Sequence, residues 1–211
     1  DIERGHGELK ISTTDYDAFK LGENIATTPG RVIYQNDLIQ LIQYEPSTEK
    51  VFKRPLLVVP PWINKYYILD LREDNSYVRW AVEQGHTVFV VSWVNPDAKL
   101  AQKRFEDYMQ EGIISALDSI KEATKEPDCN VVGYCLGGTL LAITAAYMQA
   151  SKQNHLASLS FIATMTDFAE GGGIGNLMRP AQLAVYEKTL AKNHVWDGHK
   201  MQIGFNLTNS N

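Results

Sequence analysis

Short, almost wholly apolar runs alternating with stretches of helical spacing constrain this chain more than any other feature. Leu56-Leu57-Val58-Val59, bounded by prolines, His86–Trp93 and Asn130–Tyr134 are too short to be helices and too apolar to be half-exposed strands. Runs of that kind describe strands covered on both faces, as in a parallel sheet. Between them, Leu71–Gln84 places Leu71, Val78 and Val82 at helical spacing and stops at Gly85. Phe105–Ala123 repeats apolar residues near the 3.6 period at Phe105, Tyr108, Met109, Ile113, Ile114, Leu117 and Ile120. A helix rich in small residues over Leu136–Ala150 leads into a fourth strand, Leu156–Thr164. The alternation predicts an α/β fold with a mostly parallel sheet and helices on both faces.

Upstream, Arg31–Tyr44 reads as two strands joined by a tight turn at Gln35-Asn36-Asp37. Residues 1–30 are polar and read as an N-terminal extension, with 31–168 as the core. Beyond Asp167 the pattern breaks at Gly171-Gly172-Gly173. A short helix is expected over Gln182–Lys192, and 169–211 begins a separate region. The chain opens on Asp and stops inside an Asn-rich phrase, so it is expected to be a piece of a longer protein, cut before the last strands of its sheet.

Of 211 residues, 21% are charged and the net charge is −5, an ordinary globular balance with no basic stripe, which argues against nucleic acid as a partner. The two cysteines, Cys129 and Cys135, match no zinc spacing and form no disulfide framework. Asp1–Lys10 has no signal-peptide character, and the longest apolar stretch, around Thr139–Met148, is shorter than the roughly 20 residues a transmembrane helix needs. A cytoplasmic location is therefore expected, with the Asn206-Leu207-Thr208 sequon a chance match. No metal or cofactor is implied.

Chemistry is concentrated in Gly133-Tyr134-Cys135-Leu136-Gly137-Gly138, at the junction of the third buried strand and the small-residue helix. This is the nucleophile-elbow pattern with Cys in place of Ser. The turn projects Cys135 from the C-terminal end of the sheet. Gly133 and Gly137 are needed because a Cβ there would collide with the neighbouring strand or helix. The helix that follows points its N-terminus at Cys135, which favours a thiolate, and leaves the Leu136 amide to stabilise an oxyanion. The plainer alternative is an inert cysteine in a strand–helix turn; Cys129, with no motif around it, is read that way. The loop after the first buried strand, Pro60–Asp70, supplies the second oxyanion donor in such sheets, and the Ile63 amide is the candidate.

Four separated motifs carry a family resemblance. Pro60-Pro61-Trp62-Ile63-Asn64-Lys65-Tyr66-Tyr67-Ile68-Leu69-Asp70-Leu71 resembles the signature loop of polyhydroxyalkanoate synthases, as do the stretch Gln84–Trp93 with Asn95-Pro96-Asp97, the box around Cys135, and Thr166-Asp167-Phe168. The form resembles class I, and the similarity runs from about Tyr16 to the end. The resemblance implies an α/β-hydrolase fold and polymerisation of (R)-3-hydroxyacyl-CoA into polyester with release of CoA. Cys135 would hold the growing chain as a thioester, with Ile63 and Leu136 amides binding the oxyanion. The CoA thioester is then substrate, not cofactor. The resemblance also implies a homodimer, residence at the surface of polyester granules, and a cap beginning near Glu170. The family's general-base His and its assisting Asp lie beyond Asn211. Two other readings compete: a Cys-dependent hydrolase of thioesters or lactones, and a non-catalytic granule-binding module.

Among residues present, His86 reads as structural at a strand's start. His155 lies at the sheet edge away from the elbow, and His6 in the polar arm. His194 and His199 flank Trp196-Asp197-Gly198 and are the remaining candidate bases. Asp167, at the end of the fourth strand, is either a triad acid or a structural joint. Trp62, Tyr66, Tyr67, Trp93 and Trp196 either line an acyl channel or pack. Lys65 and Arg72 either meet CoA phosphates or are solvated, and Asn64 and Asp70 order their loop.

Overall fold

The structure is a computed structural model that describes residues 15, 17–169, 180–196, 198 and 201. The strand-forming runs fold as β1 (Gly30–Gln35), β2 (Ile39–Tyr44), β3 (Leu56–Val59), β6 (Val88–Trp93), β7 (Cys129–Tyr134) and β8 (Leu156–Ile162). A separate small hairpin is made by β4 (Asp70–Arg72) and β5 (Asn75–Ser76). The six-stranded sheet runs in the order β1-β2-β6-β3-β7-β8. β1 and β2 are antiparallel, β2 meets β6 antiparallel, and β6, β3, β7 and β8 are parallel.

The side-chain period of two divides the apolar runs between two cores. On one face, Leu57, Val59, Phe89, Val91 and Val131 pack with Met109, Ile113, Leu117, Leu140 and Met148. These come from the helical segment made of α2 (Phe105–Asp107), a π-helical stretch Tyr108–Ile114 and α3 (Ser115–Thr124), and from α4 (Leu136–Ala150). On the other face, Val58, Val88, Val90 and Val132 pack with Val78, Ala81 and Val82 of α1 (Tyr77–Glu83). Both faces of the inner strands are thus covered, which is why their sequences do not alternate. β8 is the outer strand among the described residues, and Leu159, Phe161 and Ile162 are exposed on it.

The turn between β1 and β2 is set by Asn36, whose Oδ1 accepts the amides of Leu38 and Ile39 at 2.9 Å. Its Nδ2 donates to the Glu111 carbonyl in the π-helical stretch at 2.7 Å. The helix expected over Leu71–Gln84 begins only at Tyr77. Before it, the polar turn Glu73-Asp74-Asn75 folds back as the β4–β5 hairpin, and the Ser76 hydroxyl accepts the Arg79 amide as an N-cap. The Gln182–Lys192 helix is found as α5, Pro180–Asn193.

The described part of the extension is tied down. The Ala26 amide donates to the Asp70 carbonyl, and buried Thr28 donates its hydroxyl to Asp70 Oδ1 at 2.6 Å. Gly171–Gly173 and the sequon at Asn206 lie outside the described residues.

Candidate functional site at the strand–helix elbow

Cys135 sits between β7 and α4 with φ +53° and ψ −123°, a conformation that side-chain-bearing residues rarely adopt. It is held there from both sides. Its amide donates to the Ile162 carbonyl at 2.9 Å, and its carbonyl accepts the amides of Gly138 at 3.0 Å and Thr139 at 3.2 Å. Cys135 is partly exposed at the C-terminal end of the parallel strands, whereas Cys129 is buried. The Leu136 amide, in the first turn of α4, has no partner within the helix.

Close packing makes the glycines of this turn obligatory. A Cβ on Gly133 would lie 2.4 Å from the Gly138 Cα, and one on Gly137 would lie 2.2 Å from the Val59 carbonyl oxygen and 2.7 Å from that of Pro60. The sequence pattern identifies those two positions. It does not single out Gly138, where a Cβ would meet Thr164 Oγ1 at 2.0 Å. Thr139 Oγ1 also donates to the Met165 carbonyl at 2.7 Å. The segment after β8 therefore closes over the start of α4, a contact visible in the sequence only as the third glycine of the box.

The second loop arrives beside the elbow because β3 and β7 are parallel neighbours, with Val59 opposite Gly133. Pro60 follows directly, and its carbonyl lies against Gly137 while accepting the buried Trp93 indole N–H at 2.8 Å. Ile63 stands three residues further on, in the turn where the Asn64 amide donates to the Pro61 carbonyl. Elbow and loop are thus brought to one end of the sheet.

The far end of that loop is fixed by Asp70. This carboxylate is 2% exposed and accepts hydroxyl hydrogens from Thr28 and Ser76, both at 2.6 Å. Burial, then the negative charge of Asp70, push the Tyr66 and Tyr44 phenols up. Asp70 therefore orders its loop structurally, as expected, while the Asn64 backbone contributes only the turn.

The aromatic residues divide. Trp62 packs with Trp93, Phe105 and Tyr108, and Trp93 packs with Tyr108 as well, which makes both part of the aromatic packing at the loop. Tyr66 and Tyr67 pack edge to face, as do Tyr186 and Trp196. Lys65 donates to Asn95 Oδ1 at 2.7 Å, and Arg72 forms an exposed pair with Asp74 at 3.7 Å.

His86 precedes β6 and His155 precedes β8, so both stand at the N-terminal end of the sheet, about a strand's length, roughly 20 Å, from Cys135. His194 follows the end of α5, and His6 and His199 lie outside the described residues. Asp167 follows β8 at the Cys135 end, is exposed, and accepts the Ala169 amide at 2.9 Å. Among the described residues, no cluster of three or more His, Cys, Asp or Glu could hold a metal, and no helix is long and apolar enough to cross a membrane.

Cys129 provides an internal contrast. Burial pushes its thiol up from 9.0 to about 12, and it donates to the Pro55 carbonyl at 3.3 Å. Iodoacetamide at neutral pH is expected to label Cys135 in the folded protein and to spare Cys129 until denaturant is added, as read by peptide mass spectrometry. The folded thiol keeps its proton where the unfolded one has lost it. Its contribution to stability is therefore fully present below about pH 9 and declines as pH rises toward about 12.

A sheet of this order, with an antiparallel second strand and a sharp turn at positive φ between the strand next to β3 and a helix, defines an α/β-hydrolase fold. Within that class, the chain belongs to the polyhydroxyalkanoate synthases. Residues 1–81 match the family described as the poly-beta-hydroxybutyrate polymerase (PhaC) N-terminus. The chain is 48% identical over all 211 residues to a poly(3-hydroxyalkanoate) polymerase of Methylorubrum extorquens, covering 35% of that protein. It is 44% identical over 190 residues, 90% of this chain and 32% of the relative, to the poly(3-hydroxyalkanoate) polymerase subunit PhaC of Cupriavidus necator. The chain thus spans about a third of the length of the curated relatives it matches. Among solved structures, an esterase from Rhizomucor miehei aligns with TM-score 0.49 at 18% identity, over 68% of this chain and 46% of that one. Mouse alpha/beta hydrolase domain-containing protein 10 aligns with TM-score 0.44 at 18% identity, over 75% and 58%.

Proposed function

We propose that this chain carries the nucleophile of an enzyme that polymerises (R)-3-hydroxyacyl groups from their CoA thioesters. The observation that carries the reading is Cys135 itself, held at φ +53° at the start of α4 within the glycine box. Strain of this kind persists only where surrounding structure enforces it, and Cys135 is partly exposed where Cys129 is buried, which supports the reading.

In the proposed reaction, the Cys135 thiolate attacks the thioester carbonyl. The carbonyl oxygen gains negative charge and is held by the Leu136 and Ile63 amides. Collapse breaks the bond to the CoA sulfur, which leaves as a thiolate and takes up a proton, and the acyl group remains on Cys135. The 3-hydroxyl of a further acyl-CoA then attacks that thioester and loses its proton to a base. The bond to the Cys135 sulfur breaks and frees its thiolate, and the lengthened chain, now the acyl group of the incoming CoA thioester, returns to Cys135 by the same first step. The base is a His contributed by the longer polypeptide, as in the family resemblance, since the described histidines of this chain stand away from Cys135 or in α5's terminal turn. No cofactor enters, because the activated acyl group arrives with the substrate. Assembly as a homodimer, in the cytoplasm at the surface of polyester granules, completes the proposal.

Product analysis tests it. The full-length enzyme supplied with (R)-3-hydroxybutyryl-CoA is expected to release CoA together with polyester of high mass. Free monomeric acid in step with CoA would instead make it a thioester hydrolase, and no CoA release at all would make it a binding protein.

A further inference from the structure

We propose that Trp93 is a positioning residue for the acyl-transfer site: its indole N–H sets where the loop carrying Ile63 leaves β3 beside Cys135. The inference rests on the reading of Cys135 as nucleophile and extends it to a residue outside the glycine box. Trp93 closes β6, the strand next to β3, and is 8% exposed. Its Nε1 donates to the Pro60 carbonyl at 2.8 Å. That carbonyl is also the group against which Gly137 packs, so one oxygen joins loop and elbow. Three residues separate it from the Ile63 amide.

The ring is held as firmly as the N–H. Gly112, in the π-helical stretch, presents its Cα to the indole, and a Cβ there would lie 2.6 Å from the ring. Trp62 packs edge-on against the same ring with centroids 6.3 Å apart, and Tyr108 lies at 5.5 Å. A buried indole needs a partner for its N–H, and the partner here is the first carbonyl after the strand. Without that bond Pro60 would keep an unpaired carbonyl in a dry site, and the turn behind it would be free to shift. An oxyanion donor acts only when it is preset at the position of the developing charge, so a small displacement is costly to the rate.

The test uses the full-length enzyme with Trp93 replaced by benzothienylalanine, which keeps the ring shape and lacks the N–H, and separately the Trp93→Phe variant. In both, kcat for CoA release is expected to fall about 30-fold with KM within about twofold. The rate of Cys135 alkylation by iodoacetamide, which uses no oxyanion donor, is expected to stay within about twofold of the parent. Parent-level kcat in the folded benzothienylalanine enzyme would overturn the proposal. So would a loss confined to KM, or an alkylation rate that falls as far as kcat. Failure of the underlying nucleophile reading shows differently, as CoA release that survives Cys135→Ala in an otherwise unaltered enzyme.

Discussion

Cys135→Ala in the full-length enzyme is expected to lower CoA release from (R)-3-hydroxybutyryl-CoA by at least about 10³-fold, because the covalent route is lost outright. The fold should not notice. Ala carries a Cβ as Cys does, so the strain at φ +53° is unchanged, and the bonds to Ile162, Gly138 and Thr139 are made by the backbone. Stability by chemical denaturation is expected to stay within about 0.5 kcal/mol of the parent. Cys135→Gly separates activity from stability more sharply. It removes the proposed nucleophile and also relieves the backbone strain, so an equally inactive protein is expected to be more stable by about 1 kcal/mol. A site where the native residue opposes stability is the signature of a conformation kept for chemistry. CoA release assayed with a thiol reagent, alongside urea unfolding, reads both effects.

Gly137→Ala is expected to be the most damaging conservative change in the elbow. The added methyl would sit 2.2 Å from the Val59 carbonyl oxygen and within 2.8 Å of the Pro60 carbonyl group, both backbone atoms that no rotamer change can move aside. Relief requires α4 to withdraw from β3, which also separates Cys135 from the loop that carries Ile63. A loss of about 3 kcal/mol or more is expected, with CoA release falling even in whatever fraction stays folded. Gly112→Ala is the informative comparison. Its clash is with the Trp93 ring at 2.6 Å, a side chain anchored by its N–H, so it should disturb the loop while leaving the elbow's own backbone in place.

The elements that the sequence made legible are those in which local pattern and tertiary role coincide. β3, β6 and β7 are covered on both faces, and the absence of alternation in Leu56–Val59 and Val88–Val91 says so. α4 was readable to the residue because the glycine box fixes its start. Leu71 misled, since its seven-residue spacing from Val78 looks helical. It instead follows Asp70, whose carboxylate must reach both Thr28 and Ser76, and the chain doubles back as a hairpin to let it. The helix over Phe105–Ala123 was found at nearly its true length, but the π-helical stretch within it was not. Within it, Gly112 packs against the Trp93 ring, a partner distant in sequence that no local pattern announces. At the candidate site, the pattern pointed to the turn at Cys135 and to the loop after β3, which the structure brings to one end of the sheet. It missed Gly138 and the Trp93–Pro60 bond, because both depend on which strands become neighbours.

The most direct test of the central claim is peptide mass spectrometry of the full-length enzyme, acid-quenched soon after mixing with (R)-3-hydroxybutyryl-CoA. The peptide containing Cys135 is expected to carry hydroxybutyryl units bound through a hydroxylamine-labile thioester, absent from the Cys135→Ala variant. Hydroxyacyl groups on any other residue, or turnover with Cys135 unmodified throughout, would contradict it.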